Sequence, residues 1–142
     1  MTAAILCAAL LSHAHASAPS WWARHGRTAE RMAACHDVAL TASDEGVDPA
    51  LAVALAWHES RLATWARSSR DARGSMQTVG MWRRKGWSGP RVLRHYLSRS
   101  FSVTAAICRY SGRRDEHCHS GRKVAALASW LRAALPDDEE EM

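Results

Sequence analysis

Phenylalanine occurs once and tyrosine twice in these 142 residues, whereas tryptophan occurs seven times. That imbalance fits either a tryptophan-anchored helical core or a tryptophan-lined sugar cleft, and composition does not choose between them. Acidic residues are missing altogether from Ala72 to Arg114, although Arg and Lys recur throughout that stretch. The acids gather instead at the end of the chain, in Asp137, Asp138, Glu139, Glu140 and Glu141. A basic body with formal net charge +5 selects an anionic partner: nucleic acid, acidic lipid headgroups or cell wall. Residues 136–142 read as a disordered, solvated acidic tail.

Long apolar runs are also lacking. Ala3 to Leu11 is apolar but too short to span a bilayer, and no later stretch is long enough, so stable membrane insertion is not expected. Ala14-His15-Ala16 follows as an A-x-A cleavage element, and residues 1–16 therefore read as an export signal, although no Lys or Arg precedes the apolar run. The competing reading of the segment is a buried first helix. Export argues against a nucleic-acid partner and places the product in the periplasm or outside the cell. No internal repeat or long linker divides the remainder, so residues 17–135 form a single domain, taken as a monomer.

The cysteines have no C-x₂-C spacing. The pairs Cys35-His36 and His117-Cys118-His119 are thus poor support for zinc, and no metal or cofactor is expected. With Cys7 lost in the signal, two of Cys35, Cys108 and Cys118 are expected to pair and one to stay free and buried. Cys108 and Cys118 flank a polar loop; Cys35 with Cys118 is the other option. Either way the disulfide includes Cys118.

Hydrophobic periodicity predicts a mainly helical domain. Residues 17–26 look irregular, and residues 27–42 place Met32, Cys35, Val38, Ala39 and Ala42 on one helical face. Asp48 and Pro49 cap and open the next helix, which carries no polar residue from Pro49 to Trp57 and therefore belongs at the centre of the domain. Residues 66–90 hold Gly74, Gly80, Gly86, Gly89 and Pro90, a loop-rich insertion with a short hairpin near Ser75 to Thr78. Three helices follow: one over roughly 91–98, one after the Ser102 cap, and one from about Ser120.

Glu59 stands at the end of the apolar helix. Desolvation there disfavours the carboxylate, and the negative pole of the helix acts in the same direction. A carboxylic acid kept protonated near neutral pH can donate to a glycosidic oxygen. Arg61 and Arg67 oppose this if they come close, while His58, pointing elsewhere on the helix, reads as structural. The nearest other acid is Asp71, in a turn. Single residues among Trp65, Trp82 and Trp87 read first as packing, and Arg83-Arg84-Lys85 as a solvated turn.

The run Glu59-Ser60, Ser68, Ala72-Arg73-Gly74-Ser75-Met76-Gln77 resembles the signature of the soluble lytic transglycosylases, E-S-x₇-S-x-x-G-A-x-G-L-M-Q, without a gap. Ala105-Ala106-Ile107-Cys108-Arg109-Tyr110-Ser111-Gly112 is similar to that family's A-L-x-x-Y-N-x-G element, and Gly46-Val47-Asp48-Pro49 to its lead-in. The likeness covers roughly residues 30–132. Asp71, Ser75 and Ser111 depart from the pattern, at positions where the family has Gly, Leu and Asn, and the spacing after Tyr110 is shortened.

The resemblance implies an α+β lysozyme-like fold in which the loop-rich insertion forms one wall of a sugar cleft, with peptidoglycan glycan strands as partner. It implies that Glu59 acts first as acid and then as base on the bond between N-acetylmuramic acid and N-acetylglucosamine, giving 1,6-anhydromuramoyl ends. It also implies that Ser60, Ser68, Met76, Gln77 and Tyr110 bind the sugar. The alternatives are a goose-type lysozyme, which hydrolyses on the same fold, and a non-catalytic wall-binding or secretion-apparatus component. Two-acid glycosidases need a second carboxylate across the bond, and this sequence offers only Asp71 for that place.

Overall fold

The computed structural model describes residues 2–135 and is mainly helical. In chain order its helices are α1 (Ala3–Ser17), α2 (Pro19–His25), α3 (Thr28–Asp44), α4 (Pro49–Ser60), α5 (Gly80–Arg84), α6 (Gly89–Leu97), α7 (Val103–Tyr110) and α8 (His119–Ala134). The acidic tail of residues 136–142 lies outside the described residues.

The apolar helix α4 is the centre of the domain, packed mainly between α3 and α8. Every residue from Ala50 to Ala56 is buried. Alanine at four of those seven positions lets the neighbouring helices approach closely. Leu51, Val53 and Leu55 supply the larger buried area, each stabilising by about 1.5–3 kcal/mol. The start is fixed as its sequence requires: Asp48 accepts from the Ala50 amide at 3.0 Å, and Pro49 occupies the first turn. The end is abrupt. Arg61 and Leu62 both adopt left-handed backbone, φ 57° and 61°, turning the chain sharply just beyond Glu59 and Ser60.

That turn is held from outside by Arg31 of α3, a buried guanidinium that donates to the carbonyls of Gly26 (2.9 Å) and Arg61 (2.7 Å). Its burial lowers its pKa, and the nearby Arg27 acts in the same direction. Trp21, Trp22 and Trp65 lie over the cation with ring centroids 4.8, 5.9 and 5.1 Å away. Trp57 joins the group, stacked on Trp22 at 5.9 Å. Four of the seven tryptophans therefore brace the end of the central helix. Residues 17–26, expected to be irregular, form the short helix α2 because Pro19 suits a first turn and the tryptophan pair gains buried area against α4.

The segment with the export-signal pattern forms α1, and Leu6, Cys7, Leu10, Leu11 and Ala14 are buried against the rest of the domain. Cys7 is bonded to Cys35 of α3, and Cys108 to Cys118. The expectation of one free cysteine is thus corrected. It rested on losing Cys7, and with that residue present no described cysteine is free. Cys35 does not pair with Cys118.

The insertion after α4 is irregular but pinned. The expected hairpin reduces to isolated antiparallel bridges, Arg67 with Arg73 and Arg73 with Thr78. Within the region read as loop, α5 forms where Trp82 buries its ring. Of the three C-terminal helices, α7 begins after the expected Ser102 cap, α8 one residue before the expected Ser120 and α6 two residues before the expected 91; Ser88 accepts from the Arg91 amide and Ser102 from that of Ala105. The Cys118 sulfur, already in the disulfide, takes the Gly121 amide at the start of α8. Gly121 is required there, since a Cβ would stand 2.6 Å from Cys108 Sγ and 2.7 Å from the Thr104 carbonyl. Among the described residues no helix is long and apolar enough to cross a membrane.

Candidate active site

A cleft of about 340 Å³ opens where the end of α4, the insertion, α6 and the end of α7 meet. Glu59 lies on one side with Tyr110, Ser111 and Gly112. Ser68, Arg70, Ala72, Gln77 and Thr78 come from the insertion. Val79, Met81, Trp82, Val92 and Tyr96 form the apolar wall, and Arg109 the remaining edge. Among the described residues lining the cleft, Glu59 is the only carboxylate.

Glu59 reaches this place because α4 runs through the core and becomes polar only in its last turn. Burial raises its pKa above the ordinary carboxylate range, while a hydrogen bond from Ser111 Oγ to Oε1, 3.1 Å long, partly offsets that rise. Arg61 does not act on it: that side chain folds back over Trp57, with Cζ 5.0 Å from the ring. His58 faces away toward α8, and burial, aided by Lys123, Arg61 and His119, lowers its pKa. It has no part in the cleft.

The six residues singled out from sequence separate into two groups. Glu59, Ser68, Gln77 and Tyr110 line the cleft together. Ser60 and Met76 do not. Ser60 Oγ donates to the Ser75 carbonyl at 2.6 Å and accepts from the Ala63 amide, tying the insertion to the end of α4. Met76 is buried, and its side chain occupies the space that a Cβ on Gly89 would need.

The cleft-lining residues are themselves tied to backbone. Ser68 Oγ accepts from the amides of Arg70 and Ala72. Gln77, at φ 51°, donates from Nε2 to the carbonyls of Ala66 (3.2 Å) and Gly74 (2.8 Å), so its amide holds the loop as well as facing the cleft. Tyr110 Oη donates to the Met76 carbonyl at 2.7 Å. Its burial, with Glu59 nearby, pushes the phenol well above its ordinary pKa and keeps it a neutral donor.

Sequence reasoning noted Ser111 only as a departure, yet it is the side chain that touches the candidate acid. Its position next to Tyr110 was the available signal. Arg70, Arg109 and the apolar wall were missed, because nothing in local sequence brings α5, α6 and α7 to one opening.

Asp71 does not complete a carboxylate pair. It sits at φ 62° with three guanidinium groups within ion-pair reach: Arg67 at 3.0 Å, Arg73 at 2.9 Å and Arg83 at 2.9 Å. The hydrogen bond from Arg73, followed by the three charges, holds its carboxyl below the usual range. Arg83 also donates to the carbonyl of Asp71, so the ion cluster fastens the insertion to α5. Trp65 is likewise accounted for outside the cleft, with Arg27 stacked 3.7 Å from its ring centroid.

The described residues contain no group of His, Cys, Asp and Glu able to hold a metal ion. No protein-family profile, curated protein or solved structure matches this chain.

Proposed function

We propose that the protein is a peptidoglycan lytic transglycosylase on a lysozyme-like fold, with Glu59 as its single acid and base. The observation that carries the reading is the setting of Glu59. It is a carboxyl held toward its protonated form by burial, and it is alone among the residues lining a cleft of sugar-binding size. The apolar wall, which includes Trp82 and Tyr96, suits the faces of pyranose rings, and Gln77 and Ser68 add polar groups to the lining.

In the proposed reaction, Glu59 gives its proton to the oxygen linking N-acetylmuramic acid to N-acetylglucosamine. The bond from muramoyl C1 to that oxygen breaks, and the N-acetylglucosamine leaves with a free 4-hydroxyl. The muramoyl 6-hydroxyl then attacks C1, and its proton passes to the Glu59 carboxylate, restoring the acid. The bond formed is the 1,6-anhydro linkage, and no water is consumed. Ser111 holds Oε1 in place through both halves of the cycle. A two-acid route lacks its second member, because Asp71 is committed to three arginines and lies outside the cleft lining. The tethered 6-hydroxyl needs no positioned water, since attack within one sugar has a high effective concentration.

Two disulfides suit an oxidising compartment, and export to the periplasm or beyond is part of the proposal. The test is clearance of purified peptidoglycan by the wild-type protein and by Glu59→Gln. Wild type clears the suspension and the folded variant does not. Equal clearance by both removes Glu59 from the chemistry.

A further inference from the structure

The outer face of α6 carries a second groove, of about 310 Å³, walled by Trp87, Arg91, Arg94, His95, Ser98 and Arg99. Its charge is almost entirely of one sign. Among the described residues its one carboxylate neighbour is Glu45, 3.3 Å from Arg94. Arg91 and Arg99 have no carboxylate within ion-pair reach among the described residues. The Arg91 guanidinium lies on the Trp87 ring, 4.5 Å from its centroid, and Lys85 Nζ lies 5.5 Å from the rings of both Trp82 and Trp87.

The groove adjoins the cleft at both ends. Trp87, in the groove, stacks on Trp82, in the cleft wall, at 5.0 Å. At the other end Arg109, on the cleft edge, donates to the Arg99 carbonyl at 2.9 Å. Between them α6 is a shared wall, presenting Val92 and Tyr96 to the cleft and Arg91, Arg94 and His95 to the groove.

A neutral glycan has no use for unpaired guanidinium groups beside its binding cleft. A peptidoglycan strand does, because its muramoyl residues bear lactyl groups extended by peptides that end in carboxylates. Planar guanidinium forks pair with such carboxylates in two-point fashion, and a ring stacked behind the fork, as Trp87 is behind Arg91, pre-orients it. We infer that this groove holds the peptide-stem carboxylates of the glycan strand whose scissile bond lies at Glu59. The inference rests on the function proposed above and specifies its substrate: strands that still carry peptide stems, in preference to stripped ones.

The test uses the full chain carrying Glu59→Gln, so that bound strands are not cut, with and without Arg91→Gln and Arg99→Gln. Both arginines are exposed and lie outside the cleft lining; Arg94 is kept because it pairs with Glu45. Fluorescence anisotropy would follow binding to labelled soluble glycan strands bearing stems and to the same strands stripped by an amidase. The expected result is at least a tenfold loss of affinity for stem-bearing strands on removing the two arginines, a shallower salt dependence, and less than a twofold change for stripped strands. An equal loss on both strands, or no loss on either, overturns the groove assignment while leaving the proposed reaction standing. Competition by poly(glycerol phosphate) but not by free stem peptide also overturns it, assigning the groove to a phosphodiester polymer. Failure to bind either strand removes both the groove assignment and the proposed function.

Discussion

Replacing Ser111 by Ala removes one hydrogen bond, that from Oγ to Glu59 Oε1 at 3.1 Å. A hydroxyl that donates to a carboxyl favours the ionised form, and a bond to a charged group contributes about 1.5–3 kcal/mol. Ser111 is therefore the one named influence that lowers the Glu59 pKa against burial. Without it, burial acts unopposed, and the proton affinity of Glu59 rises further above that of an ordinary carboxylate. The carboxyl titration can be followed directly by ¹³C NMR of the labelled glutamate side chain, assigned by its disappearance in Glu59→Gln. The midpoint should move to higher pH in Ser111→Ala. In the proposed enzyme the alkaline limb of the pH–rate profile should move with it, because the first step needs the protonated acid. The maximal rate should fall, since Oε1 is no longer held. A midpoint that stays in place, or moves to lower pH, refutes the claim that Ser111 tunes and positions the acid.

Glu59→Gln carries a stability signature of its own. A carboxyl whose folded pKa is raised contributes stability below its unfolded value and loses that contribution as pH rises through the folded one. The variant should therefore melt close to wild type near pH 4 and higher than wild type at pH 7; a lower melting temperature at pH 7 contradicts the burial argument. Gln77→Ala should lose stability as well as activity, by about 1–3 kcal/mol for two hydrogen bonds to loop carbonyls, and thermal melting alongside assay on peptidoglycan separates the two effects. Replacing Cys7 and Cys35 together by Ser opens a cross-link spanning 28 residues and should cost about 3.5 kcal/mol on the chain-entropy account. A denaturation midpoint unchanged by that double substitution would show that α1 is not fastened to α3 in the folded protein.

The central helix was legible because its signals agree: an Asp-Pro start, an unbroken apolar run, and polarity returning only at His58 and Glu59. The last three helices were legible through their apolar spacing, aided at α7 by the Ser102 cap. Residues 3–17 were ambiguous for a physical reason. An apolar, alanine-rich helix followed by A-x-A carries the pattern of an export signal and can also pack as a buried first helix, and the bond of Cys7 to Cys35 depends on how α1 meets α3 in three dimensions, which local pattern does not encode. In the site, Glu59 was singled out by its local setting, and Ser68, Gln77 and Tyr110, which line the cleft with it, by motif position. Ser60 and Met76 were assigned to the sugar by motif position, whereas their atoms fasten the insertion. Ser111 bonds to a residue 52 positions away. Such a contact depends on how α4 and α7 converge, which no local pattern encodes.

The most direct test of the account is the mass of the muropeptides released from purified peptidoglycan by the wild-type protein in heavy-oxygen water. Intramolecular attack by the 6-hydroxyl predicts fragments with 1,6-anhydromuramoyl ends, lighter by one water than hydrolysis products and free of the label. No fragments should come from Glu59→Gln. Reducing ends that carry one heavy oxygen would contradict the single-glutamate transglycosylase mechanism and establish a hydrolase in its place.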